Sequence, residues 1–255
     1  MFRPRVIPCL LLDGRRLVKT TRFDAPSYVG DPINALKIFN EKEVDEVIVL
    51  DIFASKKGRK PDFAYIEKLA SECFMPMCYG GGISSMDDAE KLISCGVEKL
   101  AINQGALKNL DLLSSVATRY GSQSVLGAID VKKTWLSGSR VWNYVTRKQE
   151  LFSPDEWALK MTQAGAGEIL LNHVNRDGTL QGFDIVLIRS VSQAVSVPVI
   201  ACGGASSLED CKSAIVNGDA AAAAAGALFV YKGPHRAVLI NYPDSQALKS
   251  LFKEY

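Results

Sequence analysis

The sequence has few histidines and no paired cysteine motif, and both shortages exclude classes of protein. It contains two histidines, His173 and His235, and six cysteines that form no Cys-x-x-Cys pair. Structural zinc sites need closely spaced Cys and His ligands, so we expect no metal, and we expect no organic cofactor either. Unpaired cysteines within apolar runs are typical of reduced thiols, which predicts a cytoplasmic location.

The sequence also lacks a strong charge imbalance and a long apolar run. Lys and Arg number 30 against 28 Asp and Glu, a net charge of +2 without long runs of either sign. This balance argues against a nucleic-acid partner, although it leaves room for a local anion pocket. The longest apolar stretch, positions 220–230, is too short and too rich in alanine to cross a bilayer, so we expect no membrane partner.

Two halves of the chain resemble each other at a constant offset of 122 positions, as from Gly81 to Gly203. The same offset superposes Gly82 on Gly204, Ser84-Ser85 on Ser206-Ser207, Asp88 on Asp210, and the run 45–50 on the run 167–172. So many identities at one offset indicate an internal duplication.

Short apolar runs alternate with helical patterns along both halves. Continuous apolar runs are typical of parallel strands covered by helices, and Asp31-Pro32, Ser153–Glu156 and Ser206–Glu209 are helix-start signals. The pattern predicts one domain over 1–255, an α/β (β/α)8 TIM barrel built from two duplicated half-barrels, with an open doubly wound sheet as the alternative. The predicted strands lie near 5–12, 46–52, 76–80, 98–102, 125–130, 168–172, 198–202 and 220–225.

The chemistry of such a barrel belongs at the carboxyl ends of its strands, where two connections are unusually long. The segment 13–31 is predicted to be a mobile lid over an anionic ligand or, alternatively, a solvated surface loop. It carries the basic residues Arg15, Arg16, Lys19 and Arg22. The segment 131–152, which contains Trp135, Trp142 and Tyr144, alternates like a small hairpin, and no role follows for it.

Glycine pairs end two of the predicted strands. Gly81-Gly82 and Gly203-Gly204 each lead into a helix with a serine near its start. Glycine lets the backbone approach a ligand closely, and exposed N–H groups suit phosphate oxygens. Because the internal repeat relates the two pairs, they predict two anion sites facing each other across the barrel mouth; the alternative is that they serve tight turns.

An aspartate stands at the mouth of the fifth predicted strand. Asp130 follows the apolar run 125–129, which suits general acid or base chemistry; the alternative is an ion pair with Lys132 or Lys133. Asp51 and Asp177, at or just beyond the second and sixth predicted strands, are second-rank candidates. Asp177 precedes a glycine and could instead form a turn.

Charged residues also begin several predicted strands, at the opposite end of the barrel. Charges are costly inside a barrel unless they are paired, and two bases balance two acids here. The set could plug or gate an axial passage, or it could merely solubilise the barrel bottom. Its members are Arg5, Glu46, Lys99 and Glu168.

These features together resemble the cyclase subunit of imidazole-glycerol-phosphate synthase over nearly the whole chain. The resemblance lies in segments such as 5–10, 30–32, 50–52, 80–83, 128–130, 165–171, 176–179 and 203–204. It implies a heterodimer in which a glutaminase docks on the N-terminal face and ammonia passes the charged set as a gate. The ammonia then attacks a phosphoribosyl-formimino carboxamide ribotide, which is cleaved and closed into an imidazole.

The resemblance also assigns site residues, with Asp130 as the catalytic aspartate on the fifth strand. It implies substrate and phosphate contacts at Lys19, Asp51, Gly81, Gly82, Asn103, Asp177, Gly203, Gly204 and Gly226.

The chain departs from the family pattern at three positions. Family enzymes have a second aspartate at the end of strand one, and Leu11 stands there; Asp13 lies on the same face but about 7 Å further along the strand. Gln104 replaces a threonine and Gly226 replaces a serine. The pattern, with the segments 10–12, 73–79 and 232–237, is more similar to a paralogous branch that is associated with amidination of nucleotide-linked sugars for surface polysaccharides.

Two classes of function are therefore compatible with the sequence. The first is an ammonia-using cyclase or synthase subunit, of the paralogous or of the ordinary histidine-pathway kind. The second is a non-catalytic subunit that binds ammonia and passes it to another protein. Asp130 favours the enzyme, Leu11 favours the channelling subunit, and the balanced charges fit both.

Overall fold

Eight parallel strands close into a barrel in the computed structural model, which describes residues 4–233 and 235–253. Positions 1–3, 234 and 254–255, which the single-domain prediction also covers, lie outside the described residues. Neighbouring barrel strands pair in parallel, and β12 pairs with β1 while β10 pairs with β7, so the sheet has no free edge in the barrel. The predicted (β/α)8 fold is confirmed.

The described strands include the eight of the barrel and the strands of three short hairpins. The barrel strands are β1, β4, β5, β6, β7, β10, β11 and β12, and each matches its predicted position to within two residues at its start. In chain order the strands are β1 (Arg5–Asp13), β2 (Arg16–Thr21), β3 (Asp24–Gly30), β4 (Val47–Asp51), β5 (Met77–Gly80), β6 (Lys99–Ile102), β7 (Val125–Thr134), β8 (Gly138–Asn143), β9 (Lys148–Gln149), β10 (Glu168–His173), β11 (Val199–Cys202), β12 (Ala222–Ala225), β13 (Tyr231–Lys232) and β14 (Ala237–Val238).

Helices surround the barrel and leave its two ends open. Apolar residues on the outer face of the strands and the inner face of the helices form the larger core, and a second cluster that includes Ile7, Ile48 and Leu170 fills the barrel. The helices are α1 (Pro32–Glu41), α2 (Phe63–Ser71), α3 (Met86–Ser94), α4 (Gln104–Lys108), α5 (Asp111–Tyr120), α6 (Pro154–Gln163), α7 (Ile185–Ala194), α8 (Leu208–Val216), α9 (Ala227–Val230) and α10 (Ser245–Leu251), with a 3-10 turn at Ser122–Ser124.

The duplication seen in the sequence is repeated in the hydrogen bonds. Helices α3 and α8 occupy equivalent positions, and each is preceded by a serine whose Oγ donates to an aspartate. The Oγ–Oδ2 distance is 3.0 Å from Ser84 to Asp88 and 2.6 Å from Ser206 to Asp210. The capping box of α8 joins Ser207 to Asp210, one residue later than the predicted Ser206–Glu209 pair.

The segment 13–31 differs from the predicted loop. Strand β1 runs past the barrel rim to Asp13, and its free edge there pairs antiparallel with β2, which pairs with β3. The arm formed by β2 and β3 buries Leu17 and Val18 but leaves most of β3 exposed. The basic residues divide: Lys19 is buried, whereas Arg15 and Arg16 form exposed ion pairs with Asp62 and Asp13.

The segment 131–152 forms the expected hairpin. Strand β7 continues beyond the barrel to Thr134 and pairs antiparallel with β8, which then pairs with β9. The Lys132 ammonium lies 4.1 Å from the centre of the Trp142 ring, a cation–π contact between the two strands of the hairpin. Its tip exposes Trp135, and its far end brings Tyr144 over the barrel mouth.

Among the residues described, none of the helices is both long enough and apolar enough to span a bilayer.

Candidate active site

A single cavity at the carboxyl ends of the strands gathers most of the predicted site residues. The barrel rim, the β2–β3 arm and the β7–β8 hairpin form its walls. The predicted residues that line it are Leu11, Lys19, Asp51, Gly81, Gly82, Asn103, Gln104, Asp130, Asp177, Gly203, Gly204 and Gly226.

Asp130 lies at the floor of this cavity between two carboxamides. Asn103 Nδ2 donates to its Oδ2 over 2.8 Å, and Asn172 Nδ2 lies 3.5 Å from its Oδ1. Burial raises the pKa of Asp130 to about 7, although these hydrogen bonds act to lower it, and the charge of Asp177 raises it further. A carboxyl group with such a pKa can both accept and donate a proton near neutrality.

The cavity has an apolar side chain where a second carboxylate would complete an acid–base pair. Leu11 is 7% exposed and packs in the inner cluster with Cys9 and Val18. Asp13, two residues further along β1, does not line the cavity; it pairs with Lys57 at 2.8 Å and with Arg16 at 3.1 Å. These ion pairs, with burial acting against them, hold the pKa of Asp13 below its usual value. Asp13 is therefore committed to structural ion pairs and is not a substitute second acid.

A buried lysine brings positive charge to one wall of the cavity. Lys19 Nζ lies 3.4 Å from Asp177 Oδ1, and Thr20 Oγ1 donates to Asp177 Oδ2 over 3.1 Å. Burial acts to lower the pKa of Lys19, but the neighbouring Asp177 outweighs it and the pKa is raised. Arg22 N also donates to the backbone oxygen of Asp177, so the arm is joined to the loop after β10. Asp177 thus serves both as a turn residue before Gly178 and as the partner of Lys19.

Asp51, the last residue of β4, also lines the cavity. Its Oδ1 accepts from the backbone N–H groups of Phe53 and Ala54 at 3.1 Å, and Arg59 lies 3.4 Å away. Burial is the largest influence on the Asp51 carboxyl, and its pKa is raised despite these donors. The backbone hydrogen bonds fix the direction of the carboxylate at the cavity edge.

The two glycine pairs are needed for close backbone contacts that the duplication repeats. A Cβ atom on Gly82 would lie 2.6 Å from Arg59 O, and one on Gly204 would lie 2.3 Å from Gly182 O. Both glycines have positive φ angles, of 75° and 120°. Side chains are excluded on both counts, which leaves the backbone of each loop bare toward the cavity.

The four charged residues at the strand starts form a closed ring at the other end of the barrel, here called the charge ring. Arg5 donates to both Glu46 and Glu168. Lys99 Nζ lies 3.0 Å from Glu46 Oε1 and 2.7 Å from Glu168 Oε2. Each base therefore bridges both acids, and Glu46 is only 3% exposed. Burial acts to lower the pKa of Lys99, but the two glutamates outweigh it and raise it.

Several cavity residues were not predicted from the sequence. Asn172 is the next-to-last residue of β10 and lies beside Asp130, and its place after an apolar run was the signal that could have found it. Phe23 and Tyr144 contact each other edge to face at 5.7 Å above the mouth, one from the arm and one from the β8 hairpin. Cys9 and Cys202 line the floor as free thiols. Their positions depend on which strands are adjacent, which the sequence alone does not specify.

His173 does not line the cavity. It is buried on the outer side of β10, 3.6 Å from Asp184, and burial lowers its pKa. Within the described ranges, no group of three or more His, Cys, Asp or Glu side chains is arranged to hold a metal ion.

Fold and site together define a duplicated (β/α)8 barrel with a polar site at one end and a charge ring at the other. The model of the histidine biosynthesis protein family matches residues 5–234. The chain belongs to this family.

Three similar proteins indicate which members of the family the chain resembles. The chain is 52% identical over 248 residues to a Pseudomonas aeruginosa protein provisionally named imidazole glycerol phosphate synthase subunit hisF2, covering 97% of this chain and 99% of that one. It is 47% identical to the subunit HisF, also provisionally named, of Leptospira interrogans (99% and 100% covered). It is 43% identical to the provisionally named subunit hisF3 of Vibrio vulnificus (98% and 96%). The predicted family resemblance is confirmed, and the numbered names are in keeping with a divergent paralogue.

Proposed function

We propose that the protein is an ammonia-using cyclase or synthase subunit of the imidazole-glycerol-phosphate synthase type, with Asp130 as its proton-transferring residue. The observation that carries the proposal is the placing of Asp130. It is the carboxylate at the centre of the cavity floor, held by Asn103 and Asn172, and burial raises its pKa to about 7. Family membership and the names of the three relatives support the same class of reaction.

The substrate of the proposed reaction carries phosphate. Lys19 supplies a buried positive charge, and the Gly81-Gly82 and Gly203-Gly204 loops turn bare backbone toward the cavity from opposite halves of the duplication. Helices α4 and α9 follow the strands next to these loops, and their N-cap residues, Asn103 and Gly226, make no side-chain capping hydrogen bond in the described structure. Phosphate oxygens would accept hydrogen bonds from backbone N–H groups in such places.

Our proposal for the identity of that substrate starts from Leu11 and from the resemblance to the paralogous branch. Opening and closing the histidine-pathway ribotide calls for protons to be both delivered and removed, and family enzymes divide the task between two aspartates. With Leu11 in one of these positions, we propose that the chain is a paralogue acting on a nucleotide-linked sugar in surface-polysaccharide synthesis. The ordinary histidine-pathway cyclase is the alternative.

The ammonia comes, in this proposal, from a glutaminase that binds the face bearing the charge ring to form a heterodimer. The ring lies at the end of the barrel remote from Asp130, and its charges balance, so it can close the barrel axis without excess charge. Six free thiols among the described residues suit a cytoplasmic location.

A channelling subunit without catalysis is the second candidate, and Leu11 is the observation that favours it. If the chain only passed ammonia onward, the charge ring would be needed and a catalytic carboxylate would not. Asp130 would then be a buried polar residue without a chemical task.

Turnover with ammonium chloride tests the proposal and separates the two candidates. The purified chain receives ammonium chloride with either the ribotide or a nucleotide-linked sugar, and product is followed by mass spectrometry. We expect turnover in one of these mixtures and a loss of about 10²–10⁴-fold in the Asp130→Asn variant, the usual contribution of a positioned general base. Turnover that survives Asp130→Asn would overturn the assignment of Asp130, and no turnover in either mixture would favour the channelling subunit.

A further inference from the structure

Asn172 has a carboxamide oxygen that is buried and without a partner. Among the described residues, none donates a hydrogen bond to Asn172 Oδ1, and the atom is inaccessible to solvent. A buried acceptor left without a donor destabilises the folded protein, because the atom has lost its hydrogen bonds to water. Such a cost at the floor of the site calls for a physical reason.

The surroundings of that oxygen include backbone polar atoms. It faces Gly203, where an added Cβ atom would lie only 2.5 Å away from it. The backbone nitrogen and the carbonyl oxygen of His173 each lie 3.0 Å from the same point. An NH2 group turned to this side would therefore have the His173 carbonyl oxygen as a nearby acceptor.

The other end of the carboxamide faces Asp130 on β7, which is the register partner of Asn172 on β10. Its Nδ2 lies 3.5 Å from Asp130 Oδ1, a long contact compared with the 2.8 Å bond from Asn103 to Oδ2. An NH2 group can donate only to an acceptor, so this contact suits the ionised carboxylate. A protonated Asp130 would instead present an O–H at Oδ1, and the contact would then place donor against donor.

We propose that Asn172 is a positioning residue whose carboxamide turns over when Asp130 gains or loses its proton. With Asp130 ionised, Nδ2 faces the carboxylate. With Asp130 protonated, a half-turn about the last side-chain bond lets Oδ1 accept the Asp130 O–H, and the NH2 group then faces the carbonyl oxygen of His173. The inference rests on the proposed function only in that Asp130 transfers protons.

This device explains how one carboxyl group could serve as both acid and base. Each protonation state of Asp130 keeps a hydrogen bond to Asn172, so neither state is strongly disfavoured, while Asn103 holds Oδ2 throughout. The carboxyl therefore keeps its position when the proton moves. Leu11, where family enzymes have a second aspartate, leaves this double task to Asp130.

Other groups around Asp130 could also respond to pH and must be distinguished from it. Asp177 is the charged group that acts on the Asp130 carboxyl, and it is itself paired with Lys19. The titratable side chains that line the cavity from the surrounding elements are Cys9, Lys19, Asp51, Tyr144, Asp177 and Cys202.

Nuclear magnetic resonance tests the proposal without any substrate, so its outcome is independent of whether the cyclase activity is found. The side-chain NH2 signals of Asn172, assigned by their loss in Asn172→Leu, are followed with the Asp130 carboxyl carbon from pH 5 to 9. We expect a nuclear Overhauser effect from the Asn172 NH2 protons to the Gly203 α-hydrogens below the Asp130 midpoint and its loss above it. In Asp130→Asn the pH dependence should disappear. An Overhauser pattern that stays constant while Asp130 titrates would overturn the proposal.

The steady-state rates of Asn172 variants provide a second test, because a purely structural role of Asn172 would not produce the pattern expected below. A threonine hydroxyl can donate or accept by rotation, whereas leucine can do neither. We expect Asn172→Leu to lower kcat by about 10²-fold with KM little changed, as for a misplaced catalytic group, and Asn172→Thr to restore much of the loss. Asn217→Leu removes a surface carboxamide and is the matched control, with unchanged kcat. Equal loss in the leucine and threonine variants would contradict the proposal.

Discussion

Asp130 shows how a single side chain can trade stability for reactivity. Its pKa of about 7, raised mainly by burial, lies well above the ordinary value of about 4 for an aspartate. The folded protein therefore binds the Asp130 proton more tightly than the unfolded chain does. The stability from this group is fully present below pH about 4 and is lost as the pH rises to about 7.

Replacing Asp130 with asparagine should remove this pH dependence. Between pH 5 and pH 8 the wild-type protein should lose about 2–3 kcal/mol of its free energy of unfolding relative to Asp130→Asn, from about 1.4 kcal/mol per pKa unit. Urea unfolding at the two pH values measures the difference. Asp210→Asn is the matched control: hydrogen bonds outweigh burial and hold the pKa of Asp210 below its usual value, so its contribution is lost only in acid. A constant difference between Asp130→Asn and wild type would contradict the raised pKa.

At the residue scale, the sequence predicted which residues line the site better than it predicted what those residues contact. The glycines and aspartates that line the cavity could be predicted because they follow apolar runs. Asn172 was missed because one carboxamide after such a run has no distinctive spacing, and its importance comes from register with Asp130 across two strands. Asp13 shows the converse, since its ion pairs with Lys57 and Arg59 form through a segment distant in sequence.

Among the elements, helices α3 and α8 offer a comparison within one chain. The Asp210 carboxylate accepts from Ser206 N, Ser206 Oγ and Ser207 N at the start of α8. Asp88 makes the equivalent bonds to Ser84 but is fully buried and also lies 3.2 Å from Lys60. The duplication has thus kept the cap while changing its exposure.

Replacing each of these two aspartates with alanine should show that the buried one contributes more to stability. Asp210→Ala should cost about 1 kcal/mol, the usual value of a helix cap, and lower the Tm by about 2–4 °C. Asp88→Ala should cost more, up to about 3 kcal/mol, because it removes a fully buried carboxylate that accepts from Ser84 and pairs with Lys60. Thermal unfolding measures both, with the exposed Glu209→Ala in the same helix as control. Equal losses at Asp88 and Asp210 would show that burial does not set the cost.

Elements with continuous apolar runs were predictable, and the arm was not. Eight strands follow from runs such as 125–129, because a strand covered by helices needs apolar residues throughout. Strand β3 has five consecutive exposed residues and gives no such signal. Its partner β2 is placed by the edge of β1 beyond the barrel rim, which depends on tertiary structure.

On the scale of the whole molecule, the charge ring and the cavity lie at opposite ends of one barrel. Lys99 bridges Glu46 and Glu168, so its loss would leave two acids facing Arg5 alone. Breaking a buried ion pair commonly costs about 3–5 kcal/mol, and the partial exposure of Lys99 should reduce that figure.

Lys99→Ala should therefore affect ammonia delivery more than chemistry. With a glutaminase partner, we expect glutamine-dependent turnover to fall further than turnover supplied with ammonium chloride, since external ammonia can reach Asp130 from the open mouth. Steady-state rates with each nitrogen source measure the ratio. Lys68→Ala, at an exposed lysine within α2, is the control and should leave the ratio unchanged. Equal losses with both sources would indicate that the ring is only structural.

The measurement that tests the account most directly is ammonium-dependent turnover of the histidine-pathway ribotide by the purified chain and by Leu11→Asp. The account predicts measurable binding but poor turnover by the natural chain, because loss of one carboxylate should cost about 3–5 kcal/mol of transition-state stabilisation. It predicts higher turnover by Leu11→Asp, with calorimetry showing similar affinity for both proteins. Ordinary turnover by the natural chain would contradict the paralogue proposal and make the protein a histidine-pathway cyclase that works without an aspartate at position 11.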